Sequence, residues 1–266
     1  MDTPNRFIPF AAALTLAACA TSTDTPQSSG PAIDPVERVR ANAALDVFQA
    51  LAVEDEWYGV YALGESAGNL ERKRTVRRGQ IEVVSTLYSE NDSVEGFTIT
   101  ERFDAGAPHD ATLLEIRYDD GSISRIAREA GGYVAEFQRD GQSGREPLFD
   151  FRFRLADALA PEIWVRDGVE AGDCISYPGY SLTKFSREFN RECFLEDTDF
   201  LFSGDEIDAV RTSLNTGVRL KRDKQSGLML VDQSFFGTEI RLEKRAISTS
   251  LDRPGAPASV AALASW

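Results

Sequence analysis

Residues 217–245, GVRLKRDKQSGLMLVDQSFFGTEIRLEKR, read as three short strands at 217–223, 228–235 and 238–245, broken by a turn at Lys224–Gly227 and by Gly237. Short runs bounded by turn-forming residues are the signature of an antiparallel meander. The same pattern extends back through the chain. Trp57, Gly59, Tyr61 and Leu63 alternate with Tyr58, Val60 and Ala62, and further strand-like runs lie at 80–89, 94–104, 111–118, 122–128 and 132–138. Phe149, Phe151, Phe153 and Leu155 alternate with Asp150, Arg152 and Arg154, the clearest period of two in the sequence. Asn91-Asp92, Asp119-Asp120-Gly121, Gly131-Gly132 and Asp140-Gly141 supply the turns. Such a meander exposes one polar face and buries one apolar face.

One helix precedes the strands. Asp34 can cap it, Pro35 suits the first turn and Glu37 sits three residues after the cap. Val36, Val39, Ala43, Val47 and Ala50 then recur at helical spacing, with Ala44, Phe48 and Leu51 beside them. The segment 156–215 is less regular. Ala156–Ala160 reads as a helical turn stopped by Pro161; Leu182, Phe185 and Phe189 fit either period; and Ile207, Val210 and Leu214 suggest a short helix. The predicted class is therefore mainly β: a long antiparallel meander forming a strongly curved sheet or a barrel, with an N-terminal amphipathic helix packed on it. An N-terminal helix followed by about a dozen strands ending in 217–245 resembles the lipoprotein-carrier and outer-membrane lipoprotein-receptor superfamily. That resemblance, one of arrangement over residues 35–245, implies an unclosed barrel whose concave face takes up acyl chains.

The N-terminus carries an address. Phe7 to Ala18 is apolar but shorter than the roughly 20 residues needed to span a bilayer, which suits a signal-peptide core. Its end, Leu16-Ala17-Ala18-Cys19, resembles the lipobox of bacterial lipoprotein precursors. The resemblance implies cleavage before Cys19 and its lipidation, and Ala20 after it implies the outer membrane. The expected organisation is a signal peptide at 1–18, a lipidated flexible linker at 19–33, one β-rich domain at 34–246 and a mobile tail at 247–266. The linker's small and polar residues give a reach of roughly 20 Å. The expected location is the cell envelope, anchored through lipid to the outer membrane, on its periplasmic side.

The net charge of −14 repels nucleic acid and anionic lipid alike. With Cys19 acylated, Cys174 and Cys193 remain, and an oxidising compartment favours their pairing. Gly64-Glu-Ser66-Ala-Gly68 matches a nucleophile-elbow pattern, but no helical stripe follows it and the sole histidine, His109, lies in a nearby Gly/Pro loop. A hairpin turn explains the motif better. His109 reads as a solvated loop residue without a second histidine to share a metal, and Glu196, Asp197, Asp199, Asp205, Glu206 and Asp208 as a solvated acidic surface lacking calcium-loop spacing. Arg72, Lys73, Arg74, Arg77 and Arg78 read as the two sides of one strand.

No catalytic constellation, metal site or cofactor is thus expected. The leading expectation is a non-enzymatic lipoprotein that binds a lipid, an acyl chain or an acylated protein on the curved sheet, lined by Trp57, Tyr61, Phe97, Phe103, Phe149, Phe151 and Phe153. The second is an envelope scaffold or protein-interaction lipoprotein with a closed core. Thiol titration of the exported, denatured and unreduced protein should find neither Cys174 nor Cys193 free; two titratable thiols would refute their pairing.

Overall fold

A computed structural model describes residues 34–77, 79–90, 95–233 and 238–248, all within a compact unit that begins at Ile33. The proposed signal peptide, Cys19, the linker, Arg78, the Asn91-Asp92 turn, Gly237 and nearly all of the tail lie outside them.

Helix α1 (Pro35–Leu51) starts as its sequence dictates: the Asp34 side chain accepts a hydrogen bond from the Val36 amide at 2.7 Å, with Pro35 in the first turn. Its buried stripe is Ala41, Ala44, Val47, Phe48 and Leu51. Val36 and Val39, expected in that stripe, are 61% and 68% exposed, so the first turns of α1 project beyond the surface that its later turns cover.

Eight strands follow as a meander: β1 (Glu54–Ala62), β2 (Glu65–Arg77), β3 (Gln80–Ser89), β4 (Phe97–Asp104), β5 (Ala111–Tyr118), β6 (Ile123–Glu129), β7 (Gly132–Arg139) and β8 (Gln142–Leu148). Helices α2 (Leu155–Ala158) and α3 (Ala160–Arg166) interrupt it. A second meander then runs through β9 (Cys174–Ser181), β10 (Ser186–Phe202), β11 (Asp205–Leu214), β12 (Arg219–Asp223), β13 (Met229–Gln233) and β14 (Thr238–Ile247). β1 pairs antiparallel with β14, from Glu54↔Ile247 to Ala62↔Thr238, which fuses the two meanders into one unclosed fourteen-stranded sheet with edges β8 and β9. Both edges carry a proline, Pro147 and Pro178, which removes a ladder donor and discourages edge-to-edge association. Ser248, placed by the sequence reading in the tail, is buried and donates its amide to Val53 O at 2.9 Å.

The sheet is rolled. Tyr180 on edge strand β9 donates its hydroxyl to Glu101 on β4 at 2.9 Å, and Phe185 in the β9–β10 turn stacks on Phe137 of β7. These contacts join strands far apart in the sheet order. Phe48, Tyr58, Ile81, Phe103, Leu114, Leu155, Leu230 and Leu242 are essentially inaccessible and belong to one core under α1 and α2. Truncating Phe48 alone should cost about 3–5 kcal/mol.

Three expectations need correction. Residues 149–153 are not a strand: Phe151, Phe153 and Leu155 do point inward, but the backbone meets only the 109–111 segment, through an isolated Asp110↔Arg154 bridge. Pro161 does not stop a helix; it occupies the first turn of α3, where its missing N–H is tolerated. Ile207, Val210 and Leu214 lie on β11, whose pairing with β10 and β12 overrides their helical spacing, while Leu182, Phe185 and Phe189 span the β9–β10 hairpin. Ser203 and Gly204 have φ of 52° and 94°, the two left-handed positions that a tight hairpin between β10 and β11 requires.

Cys174 and Cys193, directly opposite on β9 and β10, are joined by a disulfide. A buried ionic cluster secures the same arm of the sheet. Glu192, fully inaccessible, accepts from Thr212 Oγ1 at 2.5 Å, Arg222 Nε at 2.8 Å and the Tyr177 hydroxyl at 3.2 Å. Arg222 Nη1 reaches Glu162 of α3 at 3.5 Å and Gly227 O at 3.4 Å, tying the helical insert to β12. Removing one partner of such a cluster strands the other charge. Glu192→Ala should therefore lower stability by about 3–5 kcal/mol, read as a lower urea midpoint with an unchanged denaturant slope.

Candidate functional site

A cavity of about 340 Å³ lies inside the rolled sheet, closed on one side by α2 and α3. β2 sends Arg72 and Arg74 into it, β4 sends Glu101 and Phe103, β9 sends Tyr177 and Tyr180, and β12 sends Arg222. Strands have a side-chain period of two, so Arg72 and Arg74 share the inner face. Lys73, between them, turns outward and pairs with Glu71 at 2.7 Å. Arg77 is exposed at the end of β2. Alternation on a two-sided strand thus explains the basic run, and it places two cations in the interior.

These cations are treated differently. Arg74 forms a buried ion pair with Glu56, which also accepts the Tyr58 hydroxyl at 2.8 Å. Arg222 is held by Glu192 and Glu162. Arg72 donates Nε to Ser85 Oγ at 3.2 Å, and its guanidinium carbon lies 5.5 Å from the centroid of the Tyr58 ring, a cation–π contact. Burial raises the pKa of Glu101 above the ordinary carboxylate value, against the opposing effects of the Tyr180 hydrogen bond and of Arg72 and Arg74. Burial and the adjoining Glu101 raise Tyr180 well above its usual value. Asp157 of α2 is also raised by burial, opposed by the hydrogen bond from the Arg154 amide at 3.0 Å.

A second depression of about 500 Å³ lies along β6, β7 and β8. Its charges neutralise one another: Glu136 pairs with Arg125 and Arg145, and Arg145 also reaches Glu129 at 2.6 Å. The smaller cavity has the more distinctive chemistry.

Of the seven aromatics expected along the groove, Phe103 and Phe153 line the cavity, with ring centroids 6.3 Å apart. Phe151 packs on Tyr133 in the core. Phe97 meets Tyr118 edge to face, while Phe149 is 86% exposed. Trp57, half-buried, lies under the Lys244 ammonium, and the Tyr61 hydroxyl bonds Glu243. On β1 the inner face belongs to Glu56, Tyr58 and Val60, so Trp57 and Tyr61 point the other way. The inward charges, Arg72, Arg74, Glu101 and Arg222, were missed because a charged residue at an alternating position reads as solvent-facing. The run Arg72–Arg78 is the signal for the first two, whereas Glu101 and Arg222 carry none.

Ser66 follows the Leu63-Gly64 turn, whose φ values of 54° and 87° make the two-residue β1–β2 hairpin, and its hydroxyl bonds Glu90 at 2.7 Å. His109 is not solvated. It is 2% exposed, with Nδ1 2.9 Å from Asp104 O. The acidic residues 196–208 line the β10–β11 hairpin, where Asp197 pairs with Lys224 at 2.7 Å and Glu196 with Arg211. Cys19 lies outside the described residues.

The fold defines a mainly β protein built on an unclosed antiparallel sheet. No family model matches the chain, and no curated protein matches it. Among solved structures it is similar to the crystal structure of a beta-barrel-like protein of domain of unknown function DUF1849 from Brucella abortus. The TM-score is 0.43 and the identity 10%, over 73% of this chain and 97% of that one.

Tyr180→Phe removes a hydrogen bond that stabilises ionised Glu101, so the Glu101 pKa should rise further, as read by carboxyl NMR titration. A raised carboxyl pKa gives stability that is full below its unfolded value and lost as pH rises through the folded value. Glu101→Gln should remove that loss from the pH–stability profile.

Proposed function

We propose that this chain is a non-enzymatic, membrane-tethered lipoprotein that takes up a small ligand with an apolar body in the cavity between the rolled sheet and α2–α3. The observation that carries this reading is the convergence of distant elements on one cavity. Strands from both arms of the sheet and the helical insert converge on about 340 Å³, where an apolar patch of Phe103, Phe153, Leu159 and Met229 lies among the charged side chains of β2, β4, β12, α2 and α3. Ligand sites commonly combine an apolar wall with a small number of placed polar side chains, in volumes of about 300–1,000 Å³. The cavity lies at the lower end of that range, which favours one acyl chain or a similarly small molecule over a whole membrane lipid.

The Leu16–Cys19 motif supports attachment to the outer membrane on the periplasmic side, where apolar ligands are met. A second reading, an envelope scaffold that engages a protein partner, is favoured by how much of the interior the Glu192–Arg222 and Glu56–Arg74 pairs already fill.

The neutral fluorophore N-phenyl-1-naphthylamine distinguishes the two readings. The mature chain should enhance its fluorescence saturably, and Ala158→Phe, which fills the cavity from α2, should weaken binding about tenfold or more without lowering Tm by more than a few degrees. Absence of saturable binding by the unaltered protein would reject the ligand-binding reading.

A further inference from the structure

Among the described residues three arginines line the cavity inside the sheet, and two are ion-paired there. Arg74 has Glu56 and Arg222 has Glu192, carboxylates that are 1% and 0% exposed. Arg72 has none: among the described residues no carboxylate lies within 4.0 Å of its guanidinium. Its Nε is taken by Ser85, and its flat face by Tyr58. The two terminal nitrogens donate to no acceptor among the described residues, and neither is among the atoms sealed away from the cavity. Arg72 is half-buried, and Glu56, Glu101 and Glu162 act on it only through space, so its terminal N–H groups keep a free, parallel pair of donors that matches a carboxylate.

We propose that Arg72 anchors the carboxylate of an aliphatic monocarboxylic acid, a free fatty acid of short to medium length, whose chain lies against Phe103, Phe153, Leu159 and Met229. This rests on the reading of the cavity as a ligand site and names the ligand's chemistry. The other charges on the walls limit the ligand to a single negative charge. Glu101 from β4, Asp157 from α2 and Glu162 from α3 line the same cavity. Glu101 is taken by Tyr180, Glu162 Oε1 faces Arg222, and Asp157 holds the Arg154 amide. A monoanion compensates Arg72 alone, whereas the second charge of a phosphate monoester would meet these carboxylates unopposed. The alternative head group is an amine, drawn to Glu101 or to Glu162 Oε2, which is buried and has no partner among the described residues. An amine would have to sit beside Arg72, a cation with no carboxylate in direct contact among the described residues.

The test is displacement of N-phenyl-1-naphthylamine from the mature chain by decanoate, decanol and decylamine, which share one chain length and differ in the head. Decanoate should bind about tenfold tighter than decanol, the size expected of a hydrogen bond to a charged group. Arg72→Gln should erase that preference while leaving decanol unchanged, and Arg72→Lys should keep part of it, which separates lost recognition from lost folding. Equal binding of decanoate and decanol, tighter binding of decylamine, or a preference that survives in a folded Arg72→Gln protein would overturn the assignment of Arg72 while the cavity reading stands. If the neutral fluorophore itself does not bind, both readings fall together.

Discussion

The pairing of β1 with β14 is the constraint on which the rest depends. Each meander alone is a curved sheet with two open edges. Joining the first strand to the last consumes one edge of each and makes a single surface long enough to roll upon itself. The edges that remain, β8 and β9, flank the chain segment that forms α2 and α3, so the insert is delivered to the mouth of the roll. This contact spans nearly the whole domain, and its chain-closure entropy must be met before the contact stabilises anything. The two meanders are therefore expected to form before the roll does. The disulfide holds edge strand β9 to β10, the place where a strand with a neighbour on one side only would fray most readily.

Rolling an amphipathic meander places its inner face in low dielectric, and here that face is not wholly apolar. Glu56–Arg74 and Glu192–Arg222 are buried ion pairs with additional hydrogen bonds from Tyr58, Tyr177 and Thr212. Such pairs add little net stability relative to apolar residues, but a wrong register would separate them at large cost. Each pair joins strands through residues distant in sequence. They act as locks on the register of β1 with β2 and of β10 with β12 through β11, and Arg72 is the cavity arginine that makes no direct ion pair among the described residues.

Much of this architecture was legible residue by residue. The cap at Asp34, most strand runs, the hairpin reading of Gly64–Gly68 and the mainly β class follow from local chemistry, while the pairing of Cys174 with Cys193 follows from their even count in an expected oxidising compartment. The cavity was not legible. Its apolar wall includes Phe103 and Phe153, two of the aromatics that stand out in the sequence, but its polar wall is drawn from β2, β4, β9, β12 and α3, which become neighbours only on rolling. Ile207, Val210 and Leu214 mimic a helix by spacing alone, and only the flanking strands decide otherwise.

The sequence by itself determined where most strands and turns outside 149–215 fall, because turn residues and a period of two are properties of a few adjacent positions. Only the tertiary structure decided which face of each strand looks inward. A period of two is unchanged when the faces are exchanged, and where buried charges pair with one another, polarity no longer marks the outside. Trp57 and Tyr61 therefore face out while Glu56 and Tyr58 face in, and Arg72 and Arg74, outwardly a surface pattern, line the cavity inside the sheet.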